Sequence, residues 1–334
     1  MTEIRRLLET VYTPDGEALN QVAQREPALT KPAGSLGRLE DLTAWLAGWQ
    51  GRYPPRLAAV AARVFAGNHG IAERGVSAYP AAVTAQMVEN FRAGGAAINQ
   101  LCRTFDVALR VLPLELERPT GDFTVTAAMS EAEFVTAFAA GFAEADETID
   151  LLCLGEMGIG NTTSAAAVVC GLFGAQPSSW VGPGTGVTGA GLEAKRAVVA
   201  AGVGLHRAAA EDGLDLLRRL GGRELAAIAG AVLGARIRRV PVILDGFVAS
   251  AAAAALASVR SDALDHCRIA HASAEPGHRL LLRRLGMRPL LDLDMRLGEA
   301  SGAVLAVGLV RAALACHLGM ATFEGAGVSD RGAG

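Results

Sequence analysis

The chain has 334 residues, 51% of them hydrophobic, enough for one large α/β domain with a small appendage or for two ordinary domains around a substantial core. A formal net charge of -3 and an aromatic content of only 5% exclude the basic footprint and stacking platforms of a nucleic-acid binder, so a small-molecule partner is expected. Cys102, Cys153, Cys170, Cys267 and Cys316 are scattered, without a Cys-x-x-Cys pair or neighbouring histidine cluster, which argues against a zinc site and for a reducing, cytoplasmic setting. The charged N-terminus does not read as a signal peptide, and Arg311 interrupts the apolar run from Ala303 to Ala315, so neither a targeting nor a membrane segment is expected.

In chain order, residues 3 to 29 read as helical, with Ile4, Leu7, Leu8 and Val11 at helix spacing. The break Lys31-Pro-Ala-Gly-Ser-Leu-Gly follows. From about residue 59, short apolar runs alternate with Ala-rich helical stretches, and strands are expected at Ala62 to Ala66, Ala108 to Leu112, Ile149 to Leu154, Val240 to Leu244 and Arg268 to Ala272. That alternation predicts an α/β fold, a parallel sheet flanked by helices. Pro80 is placed to open a helix running toward Phe105, and Ser130 with Glu133 spells a capping box. Ala249 to Ala257 reads as helix, and Glu299 to Met320 as a helix apolar on most sides. The expected organisation is a helical N-terminal segment over 1–58, a catalytic α/β domain over 59–324 and a flexible tail over 325–334.

Three glycine-rich segments carry the chemistry. Gly155-Glu-Met-Gly-Ile-Gly-Asn-Thr-Thr follows a predicted strand and opens a predicted helix, like a P-loop with Asn161 in place of the lysine. Without that cation the outer phosphates of a triphosphate lose a partner, yet backbone N–H groups at a helix start still favour one phosphate, so the segment reads as a monophosphate cradle. The alternative is a tight turn and nothing more. Glu156, at the C-terminal end of a parallel strand, is placed to accept hydrogen bonds from ribose hydroxyls.

The second segment, Gly182-Pro-Gly-Thr-Gly-Val-Thr-Gly, leads into a helix bearing Lys195, one of only two lysines. It is a candidate phosphate contact, or else a solvated helix lysine. In the third, Arg296-Leu-Gly-Glu-Ala-Ser-Gly, a partly desolvated Glu299 suits a general base, although on the residue alone a helix-capping carboxylate is the stronger reading. His69 in Gly67-Asn-His-Gly has no matching nucleophile or metal-ligand pattern and reads as structural. Ser273, just after the strand ending near His271, is within reach of a phosphate. Tyr79, Gln86, Met87, Met157 and Leu297 are candidates to sandwich a planar base, or ordinary packing residues.

Together these motifs, with Lys31-Pro-Ala-Gly-Ser-Leu-Gly-Arg-Leu-Glu, Gly75-Val-Ser-Ala-Tyr-Pro, Val83-Thr-Ala-Gln-Met, Leu244-Asp-Gly-Phe and His271-Ala-Ser-Ala-Glu, resemble the nicotinate-nucleotide:dimethylbenzimidazole phosphoribosyltransferase family nearly end to end. The resemblance implies a Rossmann-like parallel sheet with a small helical domain, a homodimer, and no metal or other cofactor. It implies transfer of the phosphoribosyl group from nicotinate mononucleotide to 5,6-dimethylbenzimidazole, by a single inverting displacement. The family's base falls on Glu299, and its nucleotide contacts on Glu156, Gly158 and Lys195, to which the cradle adds Asn161 and Thr162. Asn68 stands where family members often carry Asp, and the position of Tyr79 varies among them, which leaves the acceptor base open. A transferase using another base, such as adenine or a phenol, is the near alternative. A nucleotide-binding regulator or kinase built on the P-loop-like segment is the distant one, against which Asn161 argues.

Overall fold

The computed structural model describes residues 1–10 and 12–329. Val11, counted above on the first helix, and the tail from residue 330 lie outside the described residues. Helices α1 (Thr2–Glu9), α2 (Gly16–Arg25) and α3 (Arg38–Gln50) precede strand β1 (Val60–Ala66). Next come α4 (Ala82–Ala93), α5 (Ala97–Thr104), β2 (Ala108–Pro113), α6 (Glu131–Ala143), β3 (Leu151–Met157), α7 (Asn161–Phe173) and α8 (Gly189–His206). The chain continues through α9 (Gly213–Leu220), α10 (Arg223–Ile237), β4 (Val242–Leu244), α11 (Phe247–Val259), β5 (Cys267–His271) and α12 (Pro276–Leu285). It ends with β6 (Pro289–Leu291), α13 (Ser301–Gly319) and α14 (Phe323–Ala326).

All six strands pair in parallel in the order β2-β1-β3-β4-β5-β6. β3 is apolar along most of its length because both faces are covered: Leu152 and Leu154 join the core beneath α6, α7, α9, α10 and α11, while Leu151 and Cys153 join the core beneath α3, α5 and α13. Since β1 has β2 on one side and β3 on the other, strand order reverses there, which opens a crevice at the C-terminal ends of these strands.

Five of the six strands stand where the apolar runs put them, shifted by one to three residues; β6 has no counterpart in that reading. The continuous first helix is corrected to two, since Pro14 precedes α2 and Asp15 caps it by accepting from Ala18 N at 2.9 Å. The helix from Pro80 is likewise corrected to two, α4 ending at Gly94 in the left-handed region. The Ser130–Glu133 box is present, with Ser130 N donating to Glu133 and Glu133 N to Ser130 Oγ. Of the tail from Gly325, Gly325 and Ala326 close α14. Among the described residues one helix, Ser301–Gly319, is long and apolar enough to cross a membrane; here it packs against α3, α5, β3 and β5.

Candidate active site

A cavity of about 240 Å³ lies at the C-terminal ends of β3, β4 and β5. Glu156, Met157 and Gly158 reach it from β3, Gly246 and Phe247 follow β4, and His271 ends β5. Ser273 and Glu275 line it from the loop after β5, Arg296, Leu297 and Gly298 from the loop after β6, and Tyr79 from the segment after β1. A wider groove of about 560 Å³ runs past Arg38, Trp45 and Arg268. Its Arg38 and Arg268 guanidinium groups are spent on backbone carbonyls, and it meets none of the buried carboxylates at the strand ends, so the smaller cavity is the candidate site.

The turn after β3 is held from several directions. Gly67 N donates to Met157 O at 3.0 Å, Ile159 N to Thr84 Oγ1 at 3.1 Å, and Glu299 N to Glu156 O at 3.1 Å. Gly160, at φ +94°, precedes α7, whose start therefore points into the crevice. Lys195 arrives from α8, not from the turn, and is fully buried; its Nζ donates to Thr162 Oγ1 at 2.8 Å and Gly182 O at 3.0 Å. Burial lowers its pKa to about 8, which leaves an ammonium at neutral pH ready to gain from an anion. Asn161 has a different position from that of a free ligand group: its amide donates to Glu156 Oε2 and fixes that carboxylate.

Glu299 is buried among the residues behind Gly298, in an unusual backbone. Gly298, Glu299 and Ala300 have φ of 81°, 62° and 61°, a left-handed run that non-glycine residues adopt at a cost of about 1–3 kcal/mol each. What compels it is Gly155. A Cβ there would lie 2.0 Å from Ala300 N, so the bare strand backbone is the surface on which the turn rests. Ser301 clamps the other side, its N and Oγ both donating to Gly298 O, at 3.0 and 2.7 Å. The helix expected from Glu299 thus begins at Ser301, and Glu299 makes no side-chain cap.

Burial dominates the electrostatics. It pushes Glu299 up to about 7, and Asp245, which accepts from Ala303 N at 3.0 Å, also to about 7. Glu156 rises to about 8, from burial first and then from the charges of Asp245 and Glu224, with the Asn161 hydrogen bond opposing. Among the described residues, Glu299 Oε2, Asp245 Oδ2, Glu275 Oε2 and His271 Nδ1 are buried without a hydrogen-bond partner. Such atoms are costly and cluster where a ligand supplies their partners.

Of the residues singled out from sequence, Glu156, Met157, Gly158, Asn161, Thr162, Ser273, Tyr79 and Leu297 line one cavity, with Lys195 behind Thr162 and Glu299 behind Gly298. Tyr79 and Leu297 are 56% and 54% exposed, apolar surface at the mouth. On α4, Gln86 is exposed and Met87 packs against the core, and neither is among the residues lining this cavity. Sequence reasoning gave no role to Asp245, Glu224 or Glu275. Glu275 accepts from Gly184 N at 2.8 Å and Arg296 donates to Gly184 O at 3.0 Å, so these two hold the second glycine loop over the cavity.

Known proteins share this fold. The family model described as phosphoribosyltransferase (DBI_PRT) matches residues 11–328. Nicotinate-nucleotide–dimethylbenzimidazole phosphoribosyltransferases of Brucella anthropi and Brucella canis are 54% and 55% identical over 327 residues, 98% of this chain and 96% of each relative. The structure of the enzyme of that name from Thermus thermophilus is similar with a TM-score of 0.87 at 41% identity, over 95% of this chain and 99% of that one. A structure of CobT from the same organism is similar with a TM-score of 0.88 at 43% identity, over 95% and 100%. The chain belongs to the nicotinate-nucleotide–dimethylbenzimidazole phosphoribosyltransferase family.

Proposed function

We propose that this phosphoribosyltransferase moves the ribose phosphate of nicotinate mononucleotide onto 5,6-dimethylbenzimidazole, giving α-ribazole 5′-phosphate and nicotinate, with Glu299 as the general base. The observation that carries the reading is one small cavity lined by Gly158, Thr162 and Gly298, with buried Lys195 bonded to Thr162 behind one wall and buried, unpartnered Glu299 next to Gly298 in another. The lysine suits the phosphate, the carboxylate the proton.

The glycosidic nitrogen of nicotinate mononucleotide is already a pyridinium. The C1′–N bond therefore breaks with its electron pair going to a neutral pyridine, and the leaving group needs no acid. The benzimidazole forms the new bond through one ring nitrogen and becomes cationic unless its other N–H is removed. A carboxylate with a proton affinity raised to about 7 by burial is matched to that transfer near neutral pH. Attack from the face opposite nicotinate turns the β-nucleotide into an α-product in one displacement. Glu156, held by Asn161, faces the ribose and hydrogen-bonds its hydroxyls, while Gly158, Thr162, Lys195 and Ser273 hold the phosphate. Met157, Leu297 and Tyr79 offer apolar surface to the flat acceptor.

The family resemblance supports a homodimer, and five free cysteines suit a reducing, cytoplasmic setting. Incubation of the purified protein with both substrates is expected to release nicotinate and yield α-ribazole 5′-phosphate, separated by chromatography and identified by mass and by the anomeric proton. Absence of both products across pH 6 to 9 overturns the reading, and preferential consumption of adenine or a phenol in competition reassigns the acceptor.

A further inference from the structure

His69 and Glu224 are both buried and stand 155 positions apart in sequence, yet His69 Nε2 and Glu224 Oε1 are 2.5 Å apart. On the other side of the ring, His69 Nδ1 is hydrogen-bonded to Ser164 Oγ at 3.0 Å. The three residues come from three elements: His69 from the exit of β1, Ser164 from the first turn of α7, and Glu224 from the first turn of α10. These elements enclose the turn after β3 from behind.

The contact with that turn is direct. A Cβ on Gly158 would lie 2.7 Å from Gly67 O, 3.2 Å from Glu224 Oε1 and 3.3 Å from His69 Nε2. Gly158 itself lines the cavity. One glycine thickness thus separates the imidazole–carboxylate pair from the space assigned to the nucleotide. Gly67 and Gly222 close round the same pair, since a Cβ on either would lie 2.4 Å or 2.6 Å from Glu224 Oε2.

We propose that the His69–Glu224 pair is a positioning element for the nucleotide, fixing from behind the Gly158 turn that receives the ribose phosphate. Stability alone does not account for it, because a buried ionisable pair is at best about as stabilising as apolar side chains of the same size. Apolar packing is non-directional, however, whereas a hydrogen-bonded ring among three elements fixes their relative register. The Glu224 charge also reaches the site, being among the causes that raise Glu156. The inference rests on the assignment of the cavity to nicotinate mononucleotide, and neither residue touches that substrate; each acts through Gly158 and Glu156.

The test compares His69→Ala, Glu224→Gln and Ser164→Ala with wild type in steady-state turnover and in calorimetric binding of nicotinate mononucleotide. Small displacements of a bound group cost up to about 10²-fold, so the KM and the binding constant for the nucleotide are expected to weaken by about tenfold or more in His69→Ala and Glu224→Gln. Ser164→Ala, which leaves the pair in place, is expected to shift them less, in the same direction. The KM for the benzimidazole is expected to stay within twofold in all three. A purely structural role predicts lower melting temperatures with both KM values unchanged. Nucleotide binding within twofold of wild type, in whichever variants fold, overturns the proposal. Wild type that binds the nucleotide without turning it over overturns the reaction assignment and leaves the binding comparison standing.

Discussion

Replacing Glu299 by glutamine is expected to lower kcat by about 10²–10⁴-fold, the contribution usual for a positioned base, while the KM for nicotinate mononucleotide stays near wild type. Glutamine keeps the shape of the side chain but cannot accept the proton from the attacking heterocycle. The leaving group needs no acid, so the whole loss falls on activation of the acceptor. Stability supplies an independent sign. Because burial raises Glu299 from 4.5 to about 7, the folded state binds more protons than the unfolded chain between those values. The contribution of the protonated carboxyl is present below pH 4.5 and lost as pH rises through about 7. Glutamine does not titrate, so the melting temperature of Glu299→Gln should gain on wild type over that window. Steady-state nicotinate release with melting curves at several pH values reads both effects, and near-wild-type turnover removes Glu299 from the base role.

Gly155→Ala is the second large effect. Its added methyl meets Ala300 N at 2.0 Å, a backbone atom that cannot rotate away. Overpacking a core costs about 1–3 kcal/mol and sometimes more, and a collision with backbone belongs at the upper end. The displaced segment is the left-handed turn carrying Glu299, so the protein that still folds is expected to lose turnover by at least about 10²-fold, as for a misplaced catalytic group. Denaturant melts and turnover corrected for the folded fraction separate the two losses. A variant with wild-type melting and wild-type kcat would mean that the strand does not support the turn.

Much of this was legible because the main features are local. β3 is a continuous apolar run covered on both faces, and its exit is punctuated by Gly158 and Gly160, so strand, turn and helix start could be placed from residue order. β6 could not. It is three residues long, begins with Pro289 and is only partly buried at the sheet edge, so neither length nor periodicity marks it. Residue order does not say which face of α4 meets the cavity: Gln86 is exposed there and Met87 packs against the core. The same limit hid Glu224 and Asp245. Each is an isolated acidic residue near glycines, and only the crossing of β1, α7 and α10, or of β4 and α13, gives it a partner. His69 read as structural for want of a neighbour; that neighbour lies 155 residues away.

The most direct test of the central claim is the pH dependence of kcat with both substrates saturating, in wild type and Glu299→Gln. Only the deprotonated carboxylate accepts the proton, so wild-type kcat is predicted to rise with pH through a limb near 7, where burial places Glu299. The residual rate of the glutamine variant is predicted to lack that limb. A limb of the same position in both proteins, or wild-type turnover that does not fall as Glu299 is protonated, would contradict Glu299 as the base.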